Sequence, residues 1–491
     1  MIDGSSGPRR LHPISVIGTS LKTLPGALIG MVGVFGALVQ RNPMLAVLLA
    51  LVPIILALGG SAIGWWLFTY EVREREIVIE KGLLSRQRRV IPFDRVRDIG
   101  IEQPLLGRLV GSAKVRIETG GAKADEGLLD MIEVEEAQRL RDHIRRSNLL
   151  EQSAGEQVPA EEPGEPIIFA MSIGRVLGSG LFNFSLIFVA LVFGALQYLQ
   201  EFQIIDLEQI AESGRARNLL GMFTLRTGLL ILVLLLLLGL VSGVVRTLLR
   251  DYGFGLTVSD AGLRRRRGLI TLSEVLIPAR RTEAARIDTG WLSGWLGWHA
   301  VAFQTLGADA KDGGVQVAAP FAREEEVALI LAQAGFPQRP REAMIRPPAR
   351  ALLRRLLPWV VLGAAMVVAV QVWPILAWGL PLPLLLALLG FVGWLRDGHM
   401  FGEQALFIRG GLLSRRIWIM PYEKLQTMTT RRTPLQRLLG LASIAPDTAG
   451  ASPFGAPRIS DVSLKDAPPR AAHLLASYYE SRRRVRAARS L

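Results

Sequence analysis

Arginine is the residue type in this sequence whose spacing best suits a binding function. Three groups recur around similar stretches of sequence: Arg86, Arg88, Arg89, Arg264, Arg265, Arg266, Arg267, Arg409, Arg415 and Arg416. A guanidinium group presents a planar set of N–H donors that matches a phosphate. Basic residues beside a bilayer gain about 1 kcal/mol each from anionic lipid headgroups. These ten arginines are therefore candidates for contact with headgroups. The alternative is a solvated basic surface that only fixes membrane orientation.

Other kinds of chemistry have little support in the sequence. The chain has no cysteine, which excludes disulfides, thiol catalysis and thiolate metal ligands. The histidines are scattered and none has a partner at ligand spacing: His12, His143, His299, His399 and His473. No Ser-His-Asp arrangement or phosphate-binding glycine loop stands out. We therefore expect a protein that is not an enzyme, with no catalytic residues, no metal site and no cofactor.

The apolar residues are concentrated in blocks long enough to cross a bilayer. The chain has 491 residues, half of them hydrophobic, with a mean hydropathy of +0.33. About 20 apolar residues span the hydrocarbon core. Suitable runs predict six spans in three close pairs, at 23–40, 46–68, 179–199, 228–248, 356–374 and 379–395. Gly239 and Gly243 are spaced as G-x-x-x-G in the fourth span, a pattern that lets helix backbones approach closely. For a single pair we favour the simpler explanation that small residues are frequent in membrane helices.

The distribution of charge predicts the orientation of these spans. Lysine and arginine accumulate on the cytoplasmic side of a membrane. The connections within the pairs are short or acidic, whereas most basic residues follow the pairs, and the net charge is +14. We therefore expect a multi-pass protein of the bacterial inner membrane with both termini and all three long segments in the cytoplasm. Nucleic-acid binding would also explain the charge, but the basic residues lie beside spans.

The three long segments are copies of one unit. GLLSRQRRVIP begins at Gly82, GLITLSEVLIP at Gly268 and GLLSRRIWIMP at Gly411. A proline lies ten residues further on, at Pro92, Pro278 and Pro421, and a glycine twenty-nine residues on, at Gly111, Gly297 and Gly440. Self-similarity in a fixed register indicates a repeated supersecondary unit.

The local pattern of each copy predicts a small α+β domain. The first glycine of each copy follows alternating apolar residues, which is typical of a β-hairpin turn. Further strands surround a short apolar helical turn, and an amphipathic helix is predicted from Val134, Ala322 and Pro468. The helical turn of the second copy holds Trp291 and Trp295, with Trp298 after it. Because the matching positions elsewhere include ordinary packing residues such as Leu105, we favour a core role over an exposed aromatic patch.

The pattern G-L-L-S-R, I-P, L-x-G and T-x-G after a pair of spans resembles bacterial pleckstrin-homology-like (PH-like) membrane proteins of the YdbS/YdbT type. The resemblance covers essentially the whole chain. It implies membrane helical hairpins joined to three PH-like domains, each a bent antiparallel sheet capped by a C-terminal helix. It supplies no catalytic residues. The second copy departs from the pattern at Thr271, Leu272 and Ser273, which leaves open whether that copy binds what the others bind.

The predicted organisation has eight parts. They are a tail with membrane hairpin 1 (1–69), PH-like domain 1 (70–150), a linker (151–166), membrane hairpin 2 (167–250), PH-like domain 2 (251–337), a linker (338–354), membrane hairpin 3 (355–397) and PH-like domain 3 (398–491).

The predicted function is binding and scaffolding at the membrane surface, with a role in envelope homeostasis as one setting. The expected partners are anionic lipid headgroups, another membrane protein of the same family, or a second copy of the chain, and not nucleic acid. The alternative is a transporter or lipid-handling channel gated by the domains. The predicted spans hold no acidic residues. Because ionisable residues inside a span normally mark an ion path, this argues against that alternative.

Overall fold

The computed structural model describes residues 7–21, 43–82, 85–119, 127–152, 166–183, 225–259, 262–305, 315–338, 343–412, 414–448 and 457–466, with single residues between 469 and 483. The first predicted span and most of the third lie outside these ranges. The chain divides into two compact units. One consists of Met1–Pro163, Ala170–Gly255 and Arg266–Val275, and the other of Gly164–Phe169, Leu256–Arg265 and Leu276–Leu491.

The first copy follows the apolar helix α1 (Pro43–Leu67) and contains two antiparallel sheets. The first sheet has the order β1 (Thr69–Val72), β2 (Glu76–Lys81), β3 (Gln87–Pro92). The second contains β4 (Val96–Gln103), the short helix α2 (Leu105–Leu109) that leads into β5 (Ser112–Thr119), and β6 (Gly127–Glu133). Helix α3 (Val134–Gln152) closes the copy, starting at the predicted residue. A continuous core joins both sheets to α3 and includes Ile77, Phe93, Val115, Leu129 and Leu140.

The second copy repeats this order. Strand β7 (Ile167–Ala170) precedes helices α4 (Ile173–Phe182) and α5 (Leu225–Asp251). The strands β8 (Gly255–Ser259), β9 (Gly262–Arg267) and β10 (Leu272–Pro278) follow, and then β11 (Thr282–Gly290), α6 (Trp291–Trp295), β12 (His299–Thr305), β13 (Val315–Ala322) and α7 (Glu324–Gln333). Gly180 of α4 and Gly243 of α5 lie in close contact: a Cβ on Gly180 would be 2.6 Å from the Cα of Val244. Gly243 therefore lies at a close helix contact, so the simpler explanation favoured for its spacing does not hold at this residue.

The third copy has the same elements. It begins with helices α8 (Ala349–Val370) and α9 (Pro381–Arg396) and continues through β14 (Gly398–Phe401), β15 (Ala405–Gly410), β16 (Ser414–Pro421), β17 (Leu425–Arg431), α10 (Pro434–Leu438), β18 (Leu441–Thr448) and β19 (Ile459–Ser463). Strands β17, β18 and β19 form a separate sheet in that order. The helix predicted from Pro468 lies mostly outside the described residues.

The repeated glycines have a conformational reason. Gly82, Gly268 and Gly411 have φ values of 111°, 120° and 108°, a region that side chains with a Cβ rarely adopt. A Cβ on Gly82 would lie 2.1 Å from the carbonyl oxygen of Ser85, which closes the same turn. The hairpin at this point therefore requires glycine in every copy, as the repeat predicts.

Consecutive copies pair through their sheet edges. In the first unit, the start of β10 runs antiparallel to β4, with Leu272 opposite Gln103. In the second unit, β16 runs antiparallel to β11, with Ile417 opposite Ile287. In both cases the third strand of one copy pairs with the fourth strand of the copy before it. These two strands thereby satisfy backbone donors and acceptors that would otherwise face solvent.

A second set of backbone contacts joins the residues on either side of each predicted membrane segment. The amide of Arg9 donates to the carbonyl of Tyr70 (2.8 Å), and the amide of Ile345 donates to the carbonyl of His399 (2.8 Å). In the second copy the amide of Met171 donates to the carbonyl of Phe254 (3.0 Å). Residues that precede each predicted membrane segment are therefore paired with residues that follow it.

Two helices of the described chain are long and apolar enough to cross a bilayer, rather than the six predicted. They are Val233–Asp251 and Ala349–Val370. Three shorter apolar helices accompany them, at Leu51–Leu67, Ile173–Phe182 and Pro381–Arg396. Large apolar side chains such as Val360 and Val368 are exposed on α8. Such an exposed apolar helix is typical of a lipid-facing segment.

A buried carboxylate ties α8 to the third copy. Asp461 has no exposed surface and accepts hydrogen bonds from Arg354 (2.6 Å) on α8 and from Gln436 (2.8 Å) on α10. Arg355 lies 3.5 Å from the same carboxylate. Removing one partner of a buried ion pair leaves an uncompensated charge. This carboxylate is therefore a structural link between the membrane segment and the domain.

We expect Asp461→Asn to destabilise the protein by about 3 kcal/mol, because the two arginines lose a buried countercharge. The side chain keeps its shape, and asparagine tolerates the positive φ of 58° at this residue. The measurement is the thermal unfolding midpoint of the full chain in detergent. Asp447→Asn, at an exposed carboxylate on β18, serves as the control. Equal midpoints for the two variants would contradict the structural role.

Candidate functional site

The short helix after the fourth strand exposes large apolar side chains in every copy. Leu109 is 76% exposed on α2, Trp295 is 87% exposed on α6 and Leu438 is 84% exposed on α10. Leu105 and Trp291, one turn earlier, are also exposed. The expectation that Trp291 and Trp295 belong to a core is therefore wrong.

These apolar residues are exposed because of the way the five-residue helix is oriented against the sheet. Its middle residue is the least exposed in α2 and α10, where Gly107 and Gln436 are buried, and Ser293 in α6 is half-buried. A Cβ on Gly107 would lie 2.5 Å from the carbonyl oxygen of Ser112, so little space exists there. Residues two before and two after a given helical position lie on the opposite side of the helix. The apolar pair at those positions must therefore point outward.

Trp298 behaves differently and is packed as expected. Its ring stacks on Phe321 with centroids 4.1 Å apart and an interplanar angle of 13°. The Arg323 guanidinium lies 3.8 Å from the centre of the Trp298 ring. Of the three tryptophans, only Trp298 is part of the domain packing.

The two exposed tryptophans form one wall of a cavity of about 670 Å³ between the second and third copies. The facing wall contains Leu395 and Arg396, the last residues of α9. Three more arginines line the cavity: Arg346, Arg409 and Arg415. We call these residues, together with Thr289, Gly290, Leu292 and Gly294, the Trp-Arg pocket.

Backbone contacts position the arginines of the Trp-Arg pocket. Arg409 donates through Nε to the carbonyl oxygen of Arg396 (2.8 Å), where α9 ends. Arg396 in turn donates to the carbonyl oxygen of Leu412 in the β15–β16 turn. Four arginines line the pocket, and its described lining includes no acidic side chain. The pocket is therefore suited to an anion at the end of an apolar helix.

Only two of the ten arginines proposed as headgroup contacts, Arg409 and Arg415, line the Trp-Arg pocket. In the second copy, Arg265 is buried and donates to the carbonyl oxygen of Val317 (2.6 Å). Arg267 forms an ion pair with the buried Asp251 at 3.1 Å. Arg265 is thus buried, and the half-buried Arg267 is held by a carboxylate of the protein. Arg264 is half-buried and Arg266 is exposed.

The remaining arginines lie on exposed surfaces. Arg86, Arg88 and Arg89 follow the first hairpin turn, and Arg88 lies 3.4 Å from Glu80. Arg416 lies 3.5 Å from Asp288. Arg89 also lines a larger, mainly apolar groove of about 960 Å³ that runs along α1. The other charged residues of the groove are Lys81 and Asp130. The rest of its lining consists of Leu11, Ser15, Thr19, Pro53, Leu56, Ala57, Gly60, Ser61, Gly64, Trp65, Phe68, Ile79, Gln87 and Leu128.

Sequence reasoning missed Arg346 and Arg396. The available signal was position: each lies close to one end of a predicted pair of spans, where basic side chains meet headgroups. Among the residues that the structure describes, no three histidine, aspartate or glutamate side chains are grouped to hold a metal ion.

The titratable groups with perturbed pKa values lie away from the Trp-Arg pocket lining. Burial raises the pKa of Glu283, while Lys424, at 3.8 Å across the contact between the second and third copies, opposes that shift. Burial also raises the pKa of Tyr422 to about 12, and its hydroxyl donates to the carbonyl oxygen of Gly402 (2.8 Å). Both groups have structural partners.

Comparison with known proteins agrees with this architecture. The model of the bacterial PH domain family matches the chain three times, at residues 24–148, 176–334 and 352–482. The chain therefore belongs to the bacterial PH domain family, and the resemblance found in the repeat is confirmed. No solved structure matches the chain with significance.

Two proteins of Bacillus subtilis (strain 168) are similar to the chain. The UPF0699 transmembrane protein YdbT is 23% identical over 493 residues, which cover 94% of this chain and 97% of that protein. The UPF0699 transmembrane protein YdbS is 38% identical over 77 residues, which are 16% of this chain and 46% of that protein. The chain is thus a membrane-associated PH-domain protein.

Different stability effects are expected at the two kinds of tryptophan. Trp298→Ala removes a stacked ring and should destabilise the protein by about 2 to 3 kcal/mol. Trp295→Ala removes an exposed ring and should change stability by less than about 0.5 kcal/mol. Thermal unfolding of the full chain in detergent measures both. A large loss of stability in the Trp295→Ala variant would show that Trp295 is packed in the core.

Proposed function

We propose that this bacterial PH domain protein binds anionic phospholipid headgroups at the membrane surface, and that the Trp-Arg pocket is a binding site. The observation that carries this proposal is the convergence of four arginines and two exposed tryptophans on the end of an apolar helix. Arginine recognises phosphate through a planar fork of donors. Tryptophan favours the headgroup level because one end of its ring is apolar and the other is polar.

Tethering makes weak contacts sufficient for such binding. Each arginine contributes about 1 kcal/mol toward an anionic surface. A domain attached to a membrane segment experiences a high effective concentration of headgroups, so the local contacts need not be strong. The first copy has a related arrangement, since Arg108 of α2 donates to the carbonyl oxygen of Leu269 in the hairpin of the next copy (2.7 Å).

We further propose six spans in three hairpins, with the three domains and both termini in the cytoplasm of a bacterial cell. The contacts between Arg9 and Tyr70, and between Ile345 and His399, support this, since paired residues lie on one side of the bilayer. The excess of basic residues beside the spans supports the cytoplasmic side. The protein would act as a non-enzymatic scaffold in envelope homeostasis, with lipids and membrane proteins as partners and no nucleic acid.

The lipid proposal predicts a specific loss in a double variant. Arg346→Ala with Arg415→Ala should weaken retention of anionic phospholipid by roughly 30-fold, which corresponds to about 2 kcal/mol for two arginines. Native mass spectrometry of the full chain, with phosphatidylglycerol titrated into detergent micelles, measures the retained lipid. The matched control is Arg266→Ala with Arg139→Ala, two exposed arginines that do not line the Trp-Arg pocket.

The control separates a site from a general charge effect. If both double variants lose phosphatidylglycerol equally, the overall basic surface binds the lipid and the Trp-Arg pocket is not a site. If a neutral phosphatidylcholine is retained as strongly as phosphatidylglycerol, the proposed selectivity for anionic headgroups is wrong.

The absence of cysteine permits a direct test of orientation. Single cysteines at exposed positions, Arg139→Cys, Arg266→Cys and Glu403→Cys, place one thiol in each copy. We expect a membrane-impermeant maleimide to label none of them in intact spheroplasts and all three after permeabilisation. Labelling of any of these thiols before permeabilisation would place that copy outside the cytoplasm.

A further inference from the structure

The two contacts between copies use one register. Positions are numbered by how many residues they lie after the first glycine of their copy. Leu272 lies four residues after Gly268 and faces Gln103, which lies twenty-one residues after Gly82 of the preceding copy. In the second contact, Arg415 is residue four and faces Thr289, residue twenty-one. Residue six faces residue nineteen in both contacts. The pairing of a third strand with a preceding fourth strand is therefore a repeated interface with a fixed alignment.

Among the described strands, this rule leaves two whose outer edges have no such neighbour. They are β3, the third strand of the first copy, and β17, the fourth strand of the third copy. In the part of the chain that the structure describes, β3 ends the sheet β1-β2-β3 and β17 ends the sheet β17-β18-β19. Exposed strand edges present backbone donors and acceptors to other chains.

The backbone amides and carbonyls at the outer edge of β3 point outward in the same way as those of β16, which pair with β11. The amide of Phe93 donates to the carbonyl of Arg75 (2.9 Å). In an antiparallel pair of strands, hydrogen-bonded and non-bonded residue pairs alternate, so every second residue of β3 before Phe93 bonds to β2 and the residues between them do not. Arg88 and Val90 therefore direct their amides and carbonyls away from β2. On β16 the amide of Tyr422 makes the equivalent bond to Gln404 (3.1 Å), so the counterpart residues of β16 face β11.

The exposed side chains of β3 and β17 show which residues a neighbouring strand would cover. Val90 on β3 is 44% exposed, whereas Ile419 at the same position of β16 is fully buried. On β17, Thr430 is exposed, whereas the matching Ile287 and Ile101 are buried in the two internal contacts. The two free edges are thus open at the positions that neighbouring copies cover elsewhere.

Charge decides which partner fits. At residue twenty, the internal fourth strands carry Glu102 and Asp288, but β17 carries Arg431. Asp288 lies 3.5 Å from Arg416 of the strand that faces it. In the same register, a second copy of this chain would place Arg432 opposite Arg86. Like charges directly opposite one another destabilise a strand pair, so head-to-tail pairing of this chain with itself is disfavoured.

We propose that β3 and β17 each pair with an edge strand of a different protein that carries the same PH-like unit. The strand that joins β3 would be the fourth strand of that unit, and the strand that joins β17 would be its third. Acidic side chains on those strands would face Arg88 on β3 and Arg86 just before it, and Arg431 at the end of β17 and Arg432 just after it. Backbone hydrogen bonds supply the contact and the charges select the partner. This inference rests on the proposed scaffolding role and is independent of the Trp-Arg pocket.

The ion pair on β3 does not prevent this contact. Arg88 lies 3.4 Å from Glu80, and both side chains are more than half exposed. Exposed pairs of this kind are weak, so the Arg88 guanidinium can exchange Glu80 for another carboxylate at little cost.

Photo-cross-linking of the full chain in its native membranes tests the proposal. A p-benzoylphenylalanine in place of Val90, and separately in place of Thr430, should each give one discrete adduct. Mass spectrometry of the cross-linked peptides should identify an acidic strand of a PH-like unit from another protein. The same photoreactive residue in place of Arg139, exposed on α3, is the control and should give no such adduct.

A charge variant supplies an independent measurement. Arg86→Glu with Arg88→Glu, combined with the photoreactive residue at position 90, should lower the adduct yield at least tenfold. Retention of phosphatidylglycerol should stay at the wild-type level, because neither residue lines the Trp-Arg pocket. Unchanged lipid retention in the pocket variant, together with the expected cross-linking, would refute the lipid site and leave this inference standing.

Several outcomes would overturn the proposal. Absence of adducts at both positions would show that the edges have no partner. An adduct that joins two differently tagged copies of this chain would show self-pairing and contradict the charge argument. An adduct with a protein that lacks a PH-like unit, or an unchanged yield in the charge variant, would refute the predicted partner.

Discussion

The requirement that strand edges satisfy their backbone hydrogen bonds underlies most of this structure. Each copy supplies two groups of three strands, and a group of three strands by itself would have two unpaired edges. The copies meet this requirement by pairing a third strand with a preceding fourth strand, as β10 does with β4 and β16 with β11. The same requirement explains why residues before each membrane segment pair with residues after it. The repeat is therefore held together by its edges as well as by its cores.

The candidate lipid site is a consequence of this edge pairing. When β16 aligns with β11, the hairpin turn of the third copy comes beside the short helix of the second. Arg409 and Arg415 then lie near Trp291 and Trp295, and the end of α9 supplies Arg396. No single copy contains all of these residues. The site belongs to the interface between copies, which is why the arginines within one copy were an incomplete guide to it.

Local patterns predicted much of the fold. The glycines at 82, 268 and 411 predicted hairpin turns. In the structure their φ values lie in a region that suits glycine alone. The apolar run that forms α8 predicted a membrane helix because its length matches the bilayer. Prediction failed where a side chain's direction depends on its surroundings. The apolar spacing of Trp291 and Trp295 indicated a core, but the sheet occupies the other side of that short helix.

The amino-acid sequence alone determined the triplicate unit, its strands and turns, and the apolar segments, since these follow from periodicity and from the conformational limits of glycine. Only the tertiary structure decided which arginines are buried, such as Arg265, and which line the Trp-Arg pocket with the tryptophans. It also decided which strand edges pair. The physical reason is that these features depend on the alignment of segments more than a hundred residues apart, and no local pattern encodes that alignment.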